Sequence, residues 1–365
     1  MRIVIILAFL LSANSAYPCA TFVLPDHRML DLKNPQPQAV PNSILGKSYE
    51  WHTELGMVVI NKRGVQKQAL VLSATDKPAT WQSRYASVTF NQYGREFPIG
   101  GMSERGIVVE ALILPQTKYS QPDSRPVVNE LNLVQYILDQ AKSTEHALKL
   151  AKKVRVAPVY ANLHYFVCSL GGTCGVIEFL DGNTQTTTSG FANTVLGLTN
   201  SPIQKCNNAW ARRDMKNSTK QYHRFIDLYK LVLEGMQAKP ENIAAAWDIL
   251  GWLNTNSVSP MQWQIIYEIG KKQVHFRTRK HHAIKTIDLN TFNPECSAPV
   301  MMASMNSEAS GDISNAFVYY NQKANQSLVA KTLGLLGKQF SADAINLIAK
   351  HPQKFKCISS ATKAN

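Results

Sequence analysis

The chain has 365 residues, 45% apolar and 18% charged, with a net charge of +14. That length and balance fit one large globular domain or two ordinary ones and exclude a disordered or fibrous chain. The positive charge favours anionic partners, but Lys and Arg are dispersed; their densest run, FRTRKHH at 276–282, has neither zinc-finger spacing nor an RNA-binding aromatic signature, which argues against nucleic acid.

Arg2 precedes an unbroken apolar run at 3–11, and the small residues Ser12, Ala13, Ser15 and Ala16 follow. This is the pattern of a secretory signal, too short to span a bilayer. Cleavage after Ser15 or Ala16 is expected, leaving Tyr17 and Pro18 ahead of Cys19, and a secreted or periplasmic location follows. Pro18 stands where lipoprotein processing needs a small residue, so no membrane anchor is expected, and no later run is long and apolar enough to form a membrane helix.

From Cys19 the first half reads mostly as strands: CATFVL, then 55–61, 69–74, 86–90 and 106–114, with PIGGMSERG as a glycine-rich turn between the last two. Two helices come next. In 130–141, Leu133, Tyr136, Ile137 and Ala141 keep helical spacing; 144–154 follows Ser143 or Thr144 as cap. Strands 163–168 and 175–180 bracket the turn SLGGT, which would bring Cys168 and Cys174 face to face as the best disulfide candidate. A strand at 194–200 is a further expectation.

Helices resume at 222–236, where Phe225, Leu228, Tyr229, Val232 and Leu233 share one face, and at 240–253, opened by Pro240. WQIIYEI and QVHFRT read as another hairpin, and a basic helical tail begins after about Asn325. The order implies an α+β architecture, with two sheets sandwiched between helix layers. The expected division is 1–18 as signal peptide plus Tyr-Pro remnant, 19–325 as one domain and 326–365 as a basic helical extension.

Cys19 is the residue with chemical promise. A thiol at a new chain terminus has its own α-amine as neighbour, with a reference pKa of about 7.7–8.0 against about 8.5 for the thiol. That amine can take the thiol proton without a separate histidine. The other cysteines are Cys168, Cys174, Cys206, Cys296 and Cys357. If Cys19 stays free, at least one of these five is unpaired in a monomer. No Cys or His spacing resembles a metal site, and no cofactor is expected. His281 and His282 sit in a basic, turn-like stretch and are expected to be exposed. Asn217 in NST and Asn325 in NQS are glycosylation sequons.

CATFVL, ILGKSYEWHTELGMVVINKRG, SVTFNQYGREFPIGGMSERGIVVEAL, LHYFVC…GVIEFLDG, LGLTNSP and WQIIYEIGKKQVHFRT occur in this order. Together they resemble the choloylglycine hydrolase and penicillin V acylase family of N-terminal-nucleophile hydrolases, from Cys19 to about Pro299. The resemblance implies a four-layer αββα sandwich and a cysteine exposed by processing. It implies hydrolysis of a linear amide of the conjugated bile acid, penicillin V or N-acyl homoserine lactone type. The substrate would be a small N-acyl compound with an apolar acyl group, and a homotetramer is possible.

By the same resemblance Cys19 is the nucleophile and its amine the base. An Arg followed three residues later by an acid is usual; here Lys47 and Glu50 stand there. Lys47 keeps a positive charge that favours thiolate but loses the planar fork. Glu50 would orient the α-amine. Asn200 would donate to the oxyanion, with a backbone N–H at or near Ile113 as second donor; the family often carries Asn, Tyr or Trp at this position. Arg224 would hold the network. Lys47 and the Tyr-Pro spacer also motivate an alternative, a secreted binding protein that keeps the scaffold without turnover.

Overall fold

The computed structural model describes residues 19–26, 42–188, 195–212, 220–238, 243–337 and 340–358. The signal segment with Tyr17 and Pro18, Thr194 of the strand expected at 194–200, Asn217, and Pro240, expected to open the helix at 240–253, lie outside the described residues.

Among the described residues eight strands come first: Ala20–Leu24 (β1), Ile44–Glu50 (β2), Met57–Asn61 (β3), Val65–Gln68 (β4), Thr80–Gln82 (β5), Ser87–Asn91 (β6), Gly100–Ser103 (β7) and Val108–Ile113 (β8). Val127–Val128 (β9) leads into Asn132–Gln140 (α1) and Thr144–Lys153 (α2). Next come Arg155–Val156 (β10), Leu163–Cys168 (β11), Cys174–Leu180 (β12), Asn183–Thr188 (β13) and Gly197–Leu198 (β14). Ile203–Arg212 (α3), Lys220–Ala238 (α4) and Ile243–Thr255 (α5) precede Met261–Glu268 (β15), Gln273–Thr278 (β16), Lys285–Asp288 (β17), Met301–Ser304 (β18), Gly311–Asp312 (β19) and Val318–Tyr319 (β20). Gln322–Gly334 (α6), Ala342–Lys350 (α7) and Lys356–Cys357 (β21) complete the described chain.

A seven-stranded sheet runs β14-β1-β2-β15-β16-β17-β19, and a nine-stranded sheet runs β13-β12-β11-β8-β7-β6-β3-β18-β20. Helices α4 and α5 pack on the first, α1 and α2 on the second, so the layers are αββα. Strand alternation sets which side chain meets which layer. Lys47 pairs with Thr21 on one side and Ile265 on the other, and Tyr49 with Trp263. These residues face the second sheet. Ser48 pairs with Ala20 and Gln264, and Gln264 donates to the Leu250 carbonyl of α5, so that face meets the helices.

One apolar core fills the space between the sheets and beneath α4 and α5; a second lies between α1, α2 and the outer face of the nine-stranded sheet. Burial of these faces supplies the main stabilising term, roughly 25 cal/mol per Å² of apolar surface. Ser143 caps α2 by accepting from the His146 N–H, which settles the choice between Ser143 and Thr144.

Two local expectations are corrected. The stretch 69–74 is not a strand. Ala69 and Leu70 are buried, but the Leu70 N–H donates to the Asn132 carboxamide rather than to a ladder, and Leu72 is exposed. Gly100 and Gly101 are not a turn; they belong to β7, inside the nine-stranded sheet. A Cβ at Gly100 would collide with the Glu110 carboxylate and one at Gly101 with the Val88 carbonyl. The glycines answer a close approach, not a bend.

Cys168 and Cys174 form the expected disulfide across the β11–β12 hairpin. A second bridge, Cys296–Cys357, joins the tail to the loop after β17. Cys19 and Cys206 are free and buried. Helix α6 starts at Gln322, four residues ahead of the expected boundary, capped by the Asn321 side chain. Asn325 is fully buried on it, accepting from the Arg95 N–H at 2.8 Å and donating to the Ala349 carbonyl at 2.9 Å. It is a structural residue and not an accessible glycosylation acceptor.

Candidate active site

Cys19 stands immediately before β1, 2% exposed. The register that sets Thr21 opposite Lys47 and Ala20 opposite Ser48 brings Tyr49 level with Cys19 one step further on, and both side chains line one cavity. Cys19 Sγ lies 3.6 Å from the Glu50 main-chain oxygen. Burial pushes the thiol pKa up, and the Lys47 charge opposes this.

Lys47 and Glu50 are both fully buried, on opposite faces of β2, and each has its own partner. Lys47 Nζ donates to the Ala111 carbonyl at 2.8 Å and stands 3.6 Å from Glu110 Oε2 on the facing sheet. Glu110 also accepts from the Tyr267 hydroxyl at 2.5 Å. Burial raises the Glu110 carboxyl to about 7 despite Lys47. Glu50, facing the helices, accepts from Arg224 Nη2 of α4 at 2.8 Å, from Ser48 Oγ at 2.7 Å and from Ser257 Oγ at 3.1 Å. Burial raises its pKa, and the Arg224 charge and these hydrogen bonds pull it back. Arg224 therefore meets Glu50 directly.

Asn200 Nδ2 donates to the Ile113 carbonyl at 2.7 Å. An amide nitrogen carries two protons, so one N–H remains for a further acceptor. The Leu114 N–H donates to Asn162 towards β11, while the Ala111 N–H donates the other way, to Ile99. Alternation gives Ile113 the same direction as Ala111, past the end of β7, where its carbonyl meets Asn200. The Ile113 N–H thus faces away from the β11 ladder, on the side where Asn200 stands. Ile113 lines the cavity together with Cys19.

The cavity has about 740 Å³ of space, part of it open to solvent. Its wall is mostly apolar, with Trp51, Leu70, Phe97, Ile99 and Leu163 among the contributors. The polar groups on it have partners. Tyr49 Oη donates to Gln92 Oε1 at 2.7 Å, and Trp51 Nε1 donates to the Tyr93 hydroxyl at 2.7 Å. The Glu130 carboxylate accepts from the N–H groups of Val159, Tyr160 and Ala161 at 2.7–3.0 Å, fixing that loop against the cavity. A pocket of this kind suits an uncharged apolar group.

The structure therefore brings Cys19 and Ile113 to one cavity, Asn200 to Ile113, Arg224 to Glu50, and Lys47 to the carbonyl of Ala111, a cavity residue. Glu110 was missed in the sequence, although an acid inside the apolar run GIVVEAL was a legible signal. Tyr49 and Trp51 carried no signal beyond their place in β2 and just after it. Among the described residues no cluster of His, Cys, Asp or Glu could hold a metal ion, and no helix is long and apolar enough to cross a membrane.

Two facing sheets between helix layers, with Cys19 heading β1, define the class of fold: an αββα sandwich. More particularly, the fold is that of penicillin V acylase and conjugated bile acid hydrolase. The penicillin V acylase from Agrobacterium tumefaciens superposes with a TM-score of 0.68 at 17% identity, covering 83% of this chain and 98% of the acylase. An arginine-to-leucine variant of conjugated bile acid hydrolase from Clostridium perfringens superposes with a TM-score of 0.62 at 14% identity, covering 83% and 97%. A cysteine-to-alanine variant of that hydrolase gives 0.61, 14%, 83% and 96%. No family model matches the sequence, and no curated protein matches it.

Proposed function

We propose that this chain is an exported cysteine amidase of the choloylglycine hydrolase and penicillin V acylase family, hydrolysing the linear amide bond of an N-acyl compound. The observation that carries the reading is the position of Cys19: it heads strand β1, beside an apolar cavity whose wall also holds Ile113, the partner of Asn200. Export by the N-terminal segment and removal of everything before Cys19 are part of the proposal, because only a free α-amine can act as base.

In the proposed cycle the α-amine takes the Sγ proton and the sulfur attacks the amide carbonyl carbon. The carbonyl π electrons move to oxygen, where the spare Asn200 N–H and the Ile113 N–H stabilise the charge. The intermediate collapses, the C–N bond breaks, and the leaving amine takes the proton from the α-ammonium. Water, deprotonated by the α-amine, attacks the thioester; acid is released and the thiol restored. Lys47 favours thiolate from below, and Glu50, held by Arg224, fixes the strand that carries both. The acyl group occupies the apolar cavity. Penicillin V, conjugated bile salts and N-acyl homoserine lactones are the substrate types to test, and net charge +14 would attract their anionic members. Assembly as a homotetramer belongs to the same proposal and is read by light scattering.

The test is mass spectrometry of the exported protein, followed by labelling with an electrophilic acyl analogue and turnover of the three substrate types. A chain starting at Cys19, labelled on that residue, and a Cys19→Ala protein without turnover are expected. An active protein that retains Tyr17 and Pro18, or a Cys19→Ala protein with full activity, sinks the reading. A chain that starts at Tyr17, labels nowhere and turns nothing over would be a binding protein.

A further inference from the structure

We propose that the C-terminal helical hairpin, α6 and α7, is the specificity wall of the acyl cavity. Its apolar inner face sets the length and bulk of the acyl group that the enzyme accepts. The inference rests on the amidase reading above but is argued from a different part of the chain.

The hairpin is basic in composition yet sends an apolar face inward. Leu333, Leu336, Phe340 and Ile348 line the same cavity as Cys19 and Ile113. Leu333, Leu336 and Ile348 are buried, whereas Leu335 is 57% exposed and Lys331 and Lys350 point to solvent. At the far lip the Phe340 ring stands 6.0 Å from the ring of Tyr160. Tyr160 is on the loop that Glu130 holds by hydrogen bonds. The acyl group would therefore lie between a larger wall of strand and loop residues and a smaller one supplied by the hairpin.

Several attachments hold the hairpin in one place, among them the pairing of β21 with β4. Asn325 links the Arg95 N–H to the Ala349 carbonyl. Val329 seats over Gly94, where a Cβ would meet its Cγ2 at 2.5 Å. His351 Nε2 donates to the Gln68 carbonyl at 2.8 Å, and Cys357 is bridged to Cys296. A wall fixed at several points is preorganised, so a ligand that contacts it does not have to order it first. Each methylene lost or gained against a preformed apolar wall changes binding by about 0.8 kcal/mol, close to fourfold, so a few side chains can set a sharp cut-off across an acyl series.

The test uses the mature protein and a series of N-acyl aminocoumarin amides from acetyl to dodecanoyl. The readout is the ratio of kcat/KM for the dodecanoyl amide to that for the butanoyl amide. Dodecanoic acid binding is measured in parallel by calorimetry, which needs no turnover. In Leu336→Trp the ratio falls at least tenfold and dodecanoic acid binds at least tenfold more weakly. In Phe340→Ala, at the half-buried lip and less demanding for folding, the optimum moves to a longer acyl group. Unchanged profiles in both variants, with hydrolysis continuing, overturn the wall. If the parent hydrolyses no amide but binds dodecanoic acid, and Leu336→Trp weakens that binding, the wall stands and the amidase reading falls. Absence of both hydrolysis and binding overturns both.

Discussion

Lys47 and Glu110 sit face to face between the two sheets, Nζ to Oε2 at 3.6 Å, both buried, and Lys47 is hydrogen-bonded to Ala111, a residue of the cavity that holds Cys19. The pair is possible because β7 carries Gly100 where a side chain would displace the Glu110 carboxylate. It connects the strand next to the nucleophile with the strand that ends at Ile113, so the two halves of the site are held by one ion pair and one hydrogen bond to the Ala111 carbonyl.

A pH signature follows from that pair. Burial raises Glu110 from 4.5 to about 7 in the folded state. Between these values the folded protein binds a proton that the unfolded chain has released. The contribution of Glu110 to stability is therefore complete below the unfolded value and is lost as pH rises through about 7. The full swing is on the order of 3 kcal/mol. Glu110→Gln resembles the protonated parent at pH 5 and does not titrate. Thermal melts of both proteins from pH 5 to pH 8 should show the difference moving in favour of Glu110→Gln; a constant difference would refute the assignment.

The Glu50–Arg224 contact gives a second expectation. Glu50 has no exposure and Arg224 is only slightly exposed. Arg224→Ala leaves a buried carboxylate without its cation, which costs about 3 kcal/mol in comparable pairs. Urea unfolding should show this loss, and turnover should fall with it, because β2 carries Lys47 as well as Glu50. Arg224→Lys restores the charge but not the forked donor that also reaches the Asn256 carbonyl, so it should recover only part of the stability. Full recovery by Lys would reduce the contact to simple charge.

How much of this was legible in the sequence divides along physical lines. Alternation and helical spacing revealed β1, β3, β6, β8, α1, α2, α4 and the two hairpins, because those patterns are local. The Cys168–Cys174 bridge was legible since a short turn closes it. Lys47 and Glu50 read as neighbours three apart on one strand, but odd and even positions of a strand face opposite layers, and only the sheet register tells which layer is which. The glycines of β7 read as a turn because their true causes, Glu110 on the next strand for Gly100 and the Val88 carbonyl on β6 for Gly101, lie far along the chain. The tail read as a basic appendage; its inward apolar face emerges only against a cavity assembled from β2, β8 and the loop at Tyr160. Asn325 matched a sequon by its three letters, while its burial depends on Arg95 and Ala349.

Asn200 can be tested as an oxyanion donor by separating binding from chemistry. A group that acts on developing charge changes kcat and leaves KM nearly alone. Asn200→Ala should lower kcat by about 100- to 1,000-fold. The Ile113 carbonyl loses its partner at the same time, so thermal stability is measured alongside. A rise in KM at constant kcat would make Asn200 a binding or structural residue instead.

The two disulfides should differ in what they contribute. Cys168 and Cys174 are 6 residues apart, and Cys296 and Cys357 are 61 apart. In the chain-entropy account a crosslink stabilises by restricting the unfolded chain, giving about 2 kcal/mol for the short loop and about 4 kcal/mol for the long one. The long loop also encloses α6 and α7, so its loss acts on the hairpin attached to the cavity. Paired Cys→Ala replacement at 296 and 357 should therefore lower stability more than replacement at 168 and 174. It should also broaden the acyl-length profile, since Leu333, Leu336 and Ile348 would then be held only by non-covalent contacts, those of Asn325, Val329 and His351 and the pairing of β21 with β4, without the bridge at Cys357. Loss of stability with an unchanged profile would show that the non-covalent attachments suffice to hold the wall. Equal losses from the two pairs would show that loop length is not what sets their contributions.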